Sequence, residues 1–328
     1  MRILTNFARF PETWKVDGGE TGEAKVVKTF SEFKKESRHA DLLIINGDPD
    51  LVLRLCAYFL LFPFRRKPIV AVDLVLRRPE QSKTGNFGRL LKKFLYSRVD
   101  HFIHYFTDLS DYQRFFGIGP DRSSFVPFKP NIRYRHEVQP DAEGEYVLCF
   151  GRSLRDYDTF FDAMEKLPYP GAVPQPDFAG LKQHNSRFTR KLSDLPKNVK
   201  LLDDDGSSDA LVRIISGARI VVLPILKVSL LAGIGTYLNA MYMRKCVIVS
   251  EGPGCSDVLS TQALFVPPED TQALADMIQK VWINDDLREK TAQAGYSYAV
   301  GLGGEPELRQ RILENAMAWQ RRRITSPA

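Results

Sequence analysis

The segment Ala232-Gly-Ile-Gly-Thr-Tyr-Leu-Asn-Ala-Met241 lies between two apolar runs, Ile220-Val-Val-Leu-Pro224 and Cys246-Val-Ile-Val-Ser250. The pattern reads strand, loop, helix, strand. Gly233 and Gly235 let a ligand approach the backbone with no Cβ in the way, and Thr236 adds a hydroxyl. A helix that begins near Ile234 turns unpaired N–H groups and the positive end of its dipole toward the loop. That combination suits an anion, a diphosphate above all. A plain tight turn explains two glycines as well, so the cations elsewhere in the chain must decide.

The first of these cations is Arg152, directly after Gly151 at the end of the apolar run Tyr146-Val-Leu-Cys-Phe150. A guanidinium at a strand end can grip two phosphate oxygens at once, although a surface ion pair is the plainer role. Arg155 and Lys182 are candidates for a second cation, with the same alternative. Asp73 terminates Ile69-Val-Ala-Val-Asp73 and is the best-placed carboxylate for a general base. A structural pairing with Arg77 or Arg78, both acceptor-side candidates, explains it equally well. His104 ends another apolar strand, where a buried, satisfied imidazole is the alternative to a catalytic one. Asp203-Asp-Asp205 superficially resembles a metal-binding Asp-x-Asp, but it follows a strand and opens onto Gly206-Ser-Ser208. A solvated turn and helix cap account for it, and no metal is expected. The loop Asp17-Gly-Gly-Glu-Thr-Gly22 follows the first strand and is read either as a flexible glycine loop or as a surface loop.

These residues need an α/β frame to carry them. In the first half strands are expected at 2–5, 41–45, 68–72, 101–105 and 124–127, and helices at 24–37, 50–62, 85–97 and 109–116. In the second half strands are expected at 146–150, 176–180, 199–202, 219–224 and 246–250. Its helices are expected at 158–166, 208–216, 236–243, 271–284 and 305–323. Apolar strands without strict alternation, separated by amphipathic helices, imply parallel sheets covered on both faces. The polar, proline-containing stretch from Pro130 to Glu143 interrupts the series. The expected division is a domain at 1–135, a linker at 136–145, a domain at 146–304, and a final helix at 305–328 packing back toward the first domain. Two such halves are expected to leave a cleft where ligands bind.

The 328 residues suit two domains with their own cores, and 44% hydrophobic with 26% charged residues is ordinary for a soluble α/β protein. Cys56, Cys149, Cys246 and Cys255 form no C-x-x-C pair and read as reduced core thiols, as in a cytoplasmic protein, rather than zinc ligands. Met1-Arg-Ile-Leu-Thr5 reads as a strand and not a signal peptide. No apolar run approaches the roughly 18 residues of a membrane span. The net charge of +6 is unevenly placed, with ten basic residues against two acids between Arg65 and Arg98. Within that stretch Leu90, Leu91, Phe94 and Leu95 share a helical face flanked by Arg89, Lys92 and Lys93. Together with Phe59–Lys67 this face could dock on an anionic leaflet. The alternative is a core-facing helix with a solvated basic side. The aromatics there sit among apolar residues, so nucleic acid is not expected.

The second half resembles the nucleotide-binding domain of GT-B glycosyltransferases, specifically family 4, the group 1 transferases. Three segments carry the likeness. They are Tyr146-Val-Leu-Cys-Phe-Gly-Arg-Ser-Leu-Arg-Asp-Tyr-Asp-Thr-Phe160, the stretch from Val221 through Met241, and Ala263-Leu-Phe-Val-Pro-Pro-Glu-Asp-Thr-Gln-Ala-Leu-Ala275. The first half resembles an acceptor-side domain more diffusely, through Pro68 to Arg78, Arg98 to His104 and Phe116 to Phe128. The family usually places two glutamates eight positions apart, where this chain has Leu231 and Asn239. Asn239 keeps groups that could hold a ribose hydroxyl, whereas Leu231 cannot hydrogen-bond a sugar.

The resemblance implies two Rossmann-like domains facing each other across a cleft. The implied activity is transfer of a hexose from a nucleoside-diphosphate sugar, UDP favoured over GDP, to a glycan or lipid-linked acceptor, as in polysaccharide biosynthesis. Gly151, Arg152, Arg155, Lys182, Gly233, Ile234, Gly235, Thr236 and Asn239 would hold the donor, and Asp73 would act on the acceptor. The diphosphate would leave without a metal and without a cofactor, stabilised by Arg152 and the helix start. A cytoplasmic protein, peripheral on the inner face of a membrane, fits that activity. The missing glutamates keep a second reading open, a non-catalytic nucleotide-sugar-binding subunit of a transferase complex. A third, an epimerase or hydrolase on the same fold, lacks its usual acidic and histidine clusters.

Overall fold

The computed structural model describes residues 1–76, 83–132, 146–227 and 232–325. Arg77, Arg78, Leu231 and the linker expected at 136–145 lie outside the described residues. The chain divides into two compact units, one of residues 1–127 with 305–328 and the other of 128–304.

The first unit runs β1 (Arg2–Thr5), β2 (Thr13–Lys15), β3 (Thr21–Val26), α1 (Phe30–Glu36), β4 (Leu42–Asn46) and α2 (Pro49–Leu61). It continues with β5 (Ile69–Val72), α3 (Lys83–Tyr96), β6 (His101–His104), α4 (Ser110–Phe116) and β7 (Ser123–Phe125). Its seven strands order as β2-β3-β1-β4-β5-β6-β7, parallel throughout except for the antiparallel β2–β3 pair. Strands β4, β5 and β6 are buried at nearly every position, as an internal parallel sheet demands.

The helix expected at 24–37 is instead strand β3 followed by α1. Glu23, Ala24 and Lys25 favour helix locally. The backbone of β3 finds partners in β1 on one side and β2 on the other, and that pairing overrides the preference. Gly22 is required there because a Cβ would stand 2.5 Å from the Trp14 indole. The helix starts only at the capping box, where the Thr29 hydroxyl accepts from Glu32 N–H (3.3 Å) and the Glu32 carboxylate from Thr29 N–H (2.8 Å). Of the expected Asp17–Gly22 loop, residues 17–20 make the turn of the β2–β3 hairpin, closed by Val16 N–H to Glu20 C=O at 3.1 Å, and Thr21 and Gly22 begin β3.

The second unit runs β8 (Tyr146–Cys149), α5 (Tyr157–Met164), β9 (Gly171–Pro174), α6 (Phe178–Gln183), β10 (Val199–Leu202) and α7 (Ser208–Ser216). After these come β11 (Ala218–Leu223), α8 (Ile234–Tyr242), β12 (Cys246–Ser250), β13 (Leu264–Val266), α9 (Thr271–Ile283) and α10 (Asp285–Gly301). Its sheet is wholly parallel with order β10-β9-β8-β11-β12-β13, so successive strands run outward from β8 in one direction and from β11 in the other. The β8–β11 boundary is therefore the topological switch point, where the loops after the two strands part and leave a crevice.

Residues 176–180 do not form the expected strand. The strand is β9, four residues that begin at Gly171, where a Cβ would meet Val199 at 2.9 Å. Asp177 then caps α6 by accepting from Gly180 N–H at 3.0 Å, which turns Phe178-Ala-Gly-Leu181 into helix. Helix α10 is not anticipated from the sequence pattern. Asn284 ends α9 and caps α10 through Leu287 N–H at 2.9 Å. The final helix, α11 (Glu305–Thr325), belongs to the first unit: Gln310 donates to Lys15 C=O (3.1 Å), Arg311 to Pro127 C=O (3.2 Å), and Trp319 stacks on His101.

The segment between β8 and α5 is fixed by a buried carboxylate. Asp156 is fully buried, caps α5 through Thr159 N–H (3.1 Å) and accepts from Arg187 Nε at 2.8 Å. Removing Asp156 takes away both the cap of α5 and the buried partner of Arg187, which among the described residues keeps only the Glu269 carboxylate at 3.1 Å. Asp156→Ala is expected to lower the unfolding free energy by about 3 kcal/mol in urea titrations, with Asp156→Asn losing less because the amide still caps α5. A loss for the alanine variant below about 1 kcal/mol, no more than a cap alone, would show that the pair contributes little.

Candidate functional site

The carboxyl ends of β8, β9, β10 and β11 surround a cavity of about 510 Å³, within the range of small-molecule sites. The two ends of that row differ in charge. At the β8–β11 end lie Gly151, Arg152, Arg155, Gly233, Gly235 and Thr236; at the β9–β10 end lie Pro174, Gln175, Asp177, Asp204 and Ser207. An anion is favoured at the first end and repelled by the carboxylates at the second.

Two glycine turns form the floor at the switch point. Gly151 has φ +116° and Gly233 φ +85°, and both bring the backbone against the Arg155 side chain. A Cβ on Gly151 would stand 2.4 Å from the guanidinium, and one on Gly233 would stand 3.5 Å from Nη1. Arg155 is therefore no surface cation. It is 1% exposed, donates from Nε to Phe150 C=O at 3.0 Å and from Nη2 to the Thr236 hydroxyl at 3.3 Å, and among the described residues its Nη1 has no hydrogen-bond partner. Burial lowers its pKa, yet a guanidinium stays charged in proteins. Among the described residues no carboxylate lies within salt-bridge distance of it. A buried charge without a partner costs several kcal/mol by desolvation, roughly the scale on which an anion in the crevice would offset it.

Arg155 also determines what Thr236 can do. Because the Thr236 oxygen accepts from Arg155, its own O–H is left to donate to a ligand. Helix α8 adds backbone donors. Its first residue follows Gly233, which offers no side-chain cap, whereas α5, α6, α7, α9 and α10 each have one. The N–H groups at the start of α8, Ile234 included, thus remain for a ligand. Arg152 stands exposed on the same cavity and has no carboxylate partner among the described residues.

Asn239 lines the cavity, but its role is partly taken. Its side-chain oxygen accepts from Asn131 N–H (2.7 Å) and Ile132 N–H (3.2 Å), leaving the amide nitrogen as its remaining group. That clamp presents a residue the sequence reading missed. Asn131 lines the cavity, its oxygen accepts from Lys129 Nζ at 2.6 Å, and its Nδ2 lies 2.9 Å from where a Cβ on Gly235 would sit. With the oxygen engaged, the exposed Asn131 offers an N–H donor beside the α8 start. Its only sequence signal was the Pro130-Asn131 pair inside a stretch that reads as linker.

Other expected site residues lie elsewhere. Lys182 is exposed on α6 and is not among the residues lining the cavity, although Asp177 and Leu181 of the same segment are. His104 is buried in the first unit, its Nε2 3.3 Å from the Ser123 hydroxyl and its ring against Phe102 and Tyr112. Burial lowers its pKa to about 3, so it is a neutral core histidine. Asp204 and Asp205 accept from Gly206 and Ser207 N–H at 2.9 Å each, as turn residues ahead of Ser207, which caps α7. Among the described residues no group of three His, Cys, Asp or Glu could hold a metal ion.

Asp73 differs from these. It sits at the carboxyl end of β5 with φ +51°, a left-handed conformation that Asp tolerates better than most residues. Its N–H donates to Ile103 C=O at 2.9 Å, and the next turn is pinned by Tyr112, whose hydroxyl donates to Leu74 C=O (2.7 Å) and accepts from Leu76 N–H (3.2 Å). Burial raises its pKa to about 6, so it can exchange a proton near neutrality.

The geometry around Arg155 makes Gly151 a stringent position. Gly151→Ala is expected to weaken pyrophosphate binding to the protein at least about tenfold, in line with loss of a charge-assisted contact. Unchanged affinity by calorimetry would place the anion somewhere other than above Arg155.

Residues 131–298 match the family model for glycosyl transferases group 1. No curated protein sequence matches the chain. Among solved structures, Alr3699/HepE from Anabaena in complex with UDP superposes with a TM-score of 0.71 at 13% identity, covering 90% of this chain and 86% of that one. Sucrose-phosphate synthase from Thermosynechococcus elongatus gives 0.61 at 15% identity, covering 99% and 89%. A glycosyltransferase from Rickettsia africae gives 0.62 at 12% identity, covering 91% and 85%. These likenesses show the fold, an α/β GT-B architecture with two parallel-sheet units. The family match spans more than half of the chain and contains the whole anion-favouring crevice, and the chain belongs to the group 1 glycosyl transferases.

Proposed function

We propose that this glycosyltransferase moves a hexose from a UDP-sugar to a glycan or lipid-linked acceptor, without a metal on the leaving diphosphate. The observation that carries the reading is the buried Arg155, whose Nη1, without a partner among the described residues, lies beneath two glycine turns at the switch point. As the glycosidic bond breaks, negative charge gathers on the diphosphate. On this reading Arg152 grips its oxygens, Thr236 and the α8 N–H groups donate to them, and Arg155 supplies fixed charge from below. The nucleoside then points toward β9 and β10. Asn239, engaged through its oxygen, meets the ribose through its nitrogen alone. UDP is favoured as the nucleotide because Alr3699/HepE was solved with UDP and with UDP-glucose.

Asp73 takes the role of base or polarising group for the acceptor hydroxyl. The ionised form is the competent one, so turnover should rise with pH through about 6 and level off above it. Asp73→Asn, which keeps a left-handed backbone accessible, should cut kcat by about 100-fold or more and leave UDP affinity unchanged. The sign for stability runs the other way. A raised carboxyl pKa means the native state binds the proton more tightly than the unfolded chain, so ionising Asp73 destabilises the fold as pH rises from about 4 to about 6. The asparagine variant should therefore melt no lower than wild type at neutral pH. Unchanged kcat would remove Asp73 from the mechanism.

Arg152→Ala should weaken UDP binding by roughly tenfold to a hundredfold while uridine binding barely changes. Equal losses for both would mean that Arg152 does not touch phosphate. Turnover of UDP-sugars that survives a chelator supports the metal-independent reading. Tight UDP binding without transfer to any acceptor would favour the non-catalytic subunit instead.

A further inference from the structure

The first unit carries an apolar surface that its own fold does not cover. At the end of α2, Leu61 is 76% exposed and Phe64 79%, with Leu60 and Phe62 also exposed. On α3, Leu90 is 61% exposed, and Leu91 and Phe94 are exposed beside it. Single exposed apolar residues are ordinary, whereas contiguous ones mark an interaction surface. These two stretches adjoin. Helices α2 and α3 pack together, and Arg98, whose guanidinium covers the Phe94 ring at 5.2 Å, also lines a cavity of about 170 Å³ with Phe59, Leu60, Pro63 and Arg66. Leu90, Leu91 and Phe94 are thus not buried in the core of the first unit.

The charge around this surface has one sign. No acidic residue occurs between 51 and 72 or between 84 and 99, while Arg54, Arg65, Arg66, Lys67, Arg89, Lys92, Lys93 and Arg98 all fall there. Asp100 is engaged with Arg66 at 3.0 Å. Arg65 lies over the Phe62 ring at 5.7 Å and the Phe64 ring at 5.4 Å, so cation and aromatic share one face. Long basic side chains flanking apolar tips can extend to headgroups while the tips enter the acyl boundary. Leu61 and Phe64 protrude with most of their surface open, a shape that a fluid leaflet accommodates without a preformed complementary pocket.

We propose that the first unit docks on an anionic lipid surface through the end of α2 and the exposed face of α3. Leu61, Phe64, Leu90 and Phe94 enter the interface, and the surrounding lysines and arginines meet the anionic headgroups. Each basic residue near such a surface strengthens binding by about fivefold, and the effect fades with salt. The inference rests on the first unit alone and stands whether or not the second unit binds UDP.

The test is co-sedimentation of the full chain with vesicles of phosphatidylcholine, with and without phosphatidylglycerol. The expected result is binding to the mixed vesicles at least about tenfold tighter than to phosphatidylcholine alone, weakening as salt is raised. Leu61→Ser with Phe64→Ser should weaken it at least about tenfold, and Lys67→Glu with Lys92→Glu should abolish the preference for anionic vesicles. The melting midpoint of each variant, unchanged from wild type, shows that the fold is intact. Absent or salt-insensitive binding of the wild type, or equal binding by the serine variant, overturns the proposal. So does light scattering that shows a dimer which the serine variant loses, since the surface would then be occupied by a second copy of the chain.

Discussion

A guanidinium enclosed beneath two glycine turns, with no carboxylate partner among the described residues, is the constraint around which the second unit's site is organised. Arg155 can lie there only because Gly151 leaves no Cβ to displace it, while the left-handed turn at Gly233 brings the backbone to its other side. Its hydrogen bonds to Phe150 C=O and the Thr236 hydroxyl tie the loop after β8 to the start of α8. The charge is expensive to bury, and among the described residues nothing accepts from its Nη1. A leaving diphosphate is a group whose arrival in the crevice would offset that cost, and whose charge grows as the reaction proceeds.

Around this cation the remaining parts have separable tasks. Asp156 and Arg187 hold the β8–α5 segment from behind, and the pairing continues to Glu269 at 3.1 Å. The Asn239 clamp holds residues 131 and 132 against α8 and turns the Asn131 amide toward the crevice. In the first unit, Tyr112 fixes the turn after Asp73, so a carboxyl with a raised pKa is held in one conformation. Each is a positioning device on an element end, where parallel sheets leave loops free to bind ligands.

Much of the frame was readable in order along the chain. β1, β10, α7 and β12 fall where apolar runs and caps place them. Residues 24–37 and 176–180 did not follow their local pattern, for opposite reasons. Glu-Ala-Lys at 23–25 prefers helix but became strand because β1 and β2 supply backbone partners. Phe178 to Gly180, expected in a strand, became helix because Asp177 caps it and β9 had already filled the sheet position.

Contiguous residues therefore determined the broad outcome: two α/β halves, a glycine turn before a helix, an arginine after a glycine at a strand end, and an acid closing β5. These are properties of short segments, and propensity, capping and turn chemistry act at that range. Tertiary structure alone decided which cation is buried, since Arg155 meets Thr236 81 positions away. It decided that the Asn239 oxygen is occupied by a backbone 108 positions earlier, and that Lys182 and His104 stand outside the crevice. The physical reason is that burial, and the pairing of charges and donors across a site, depend on the crossing of distant segments, and no local pattern encodes those crossings.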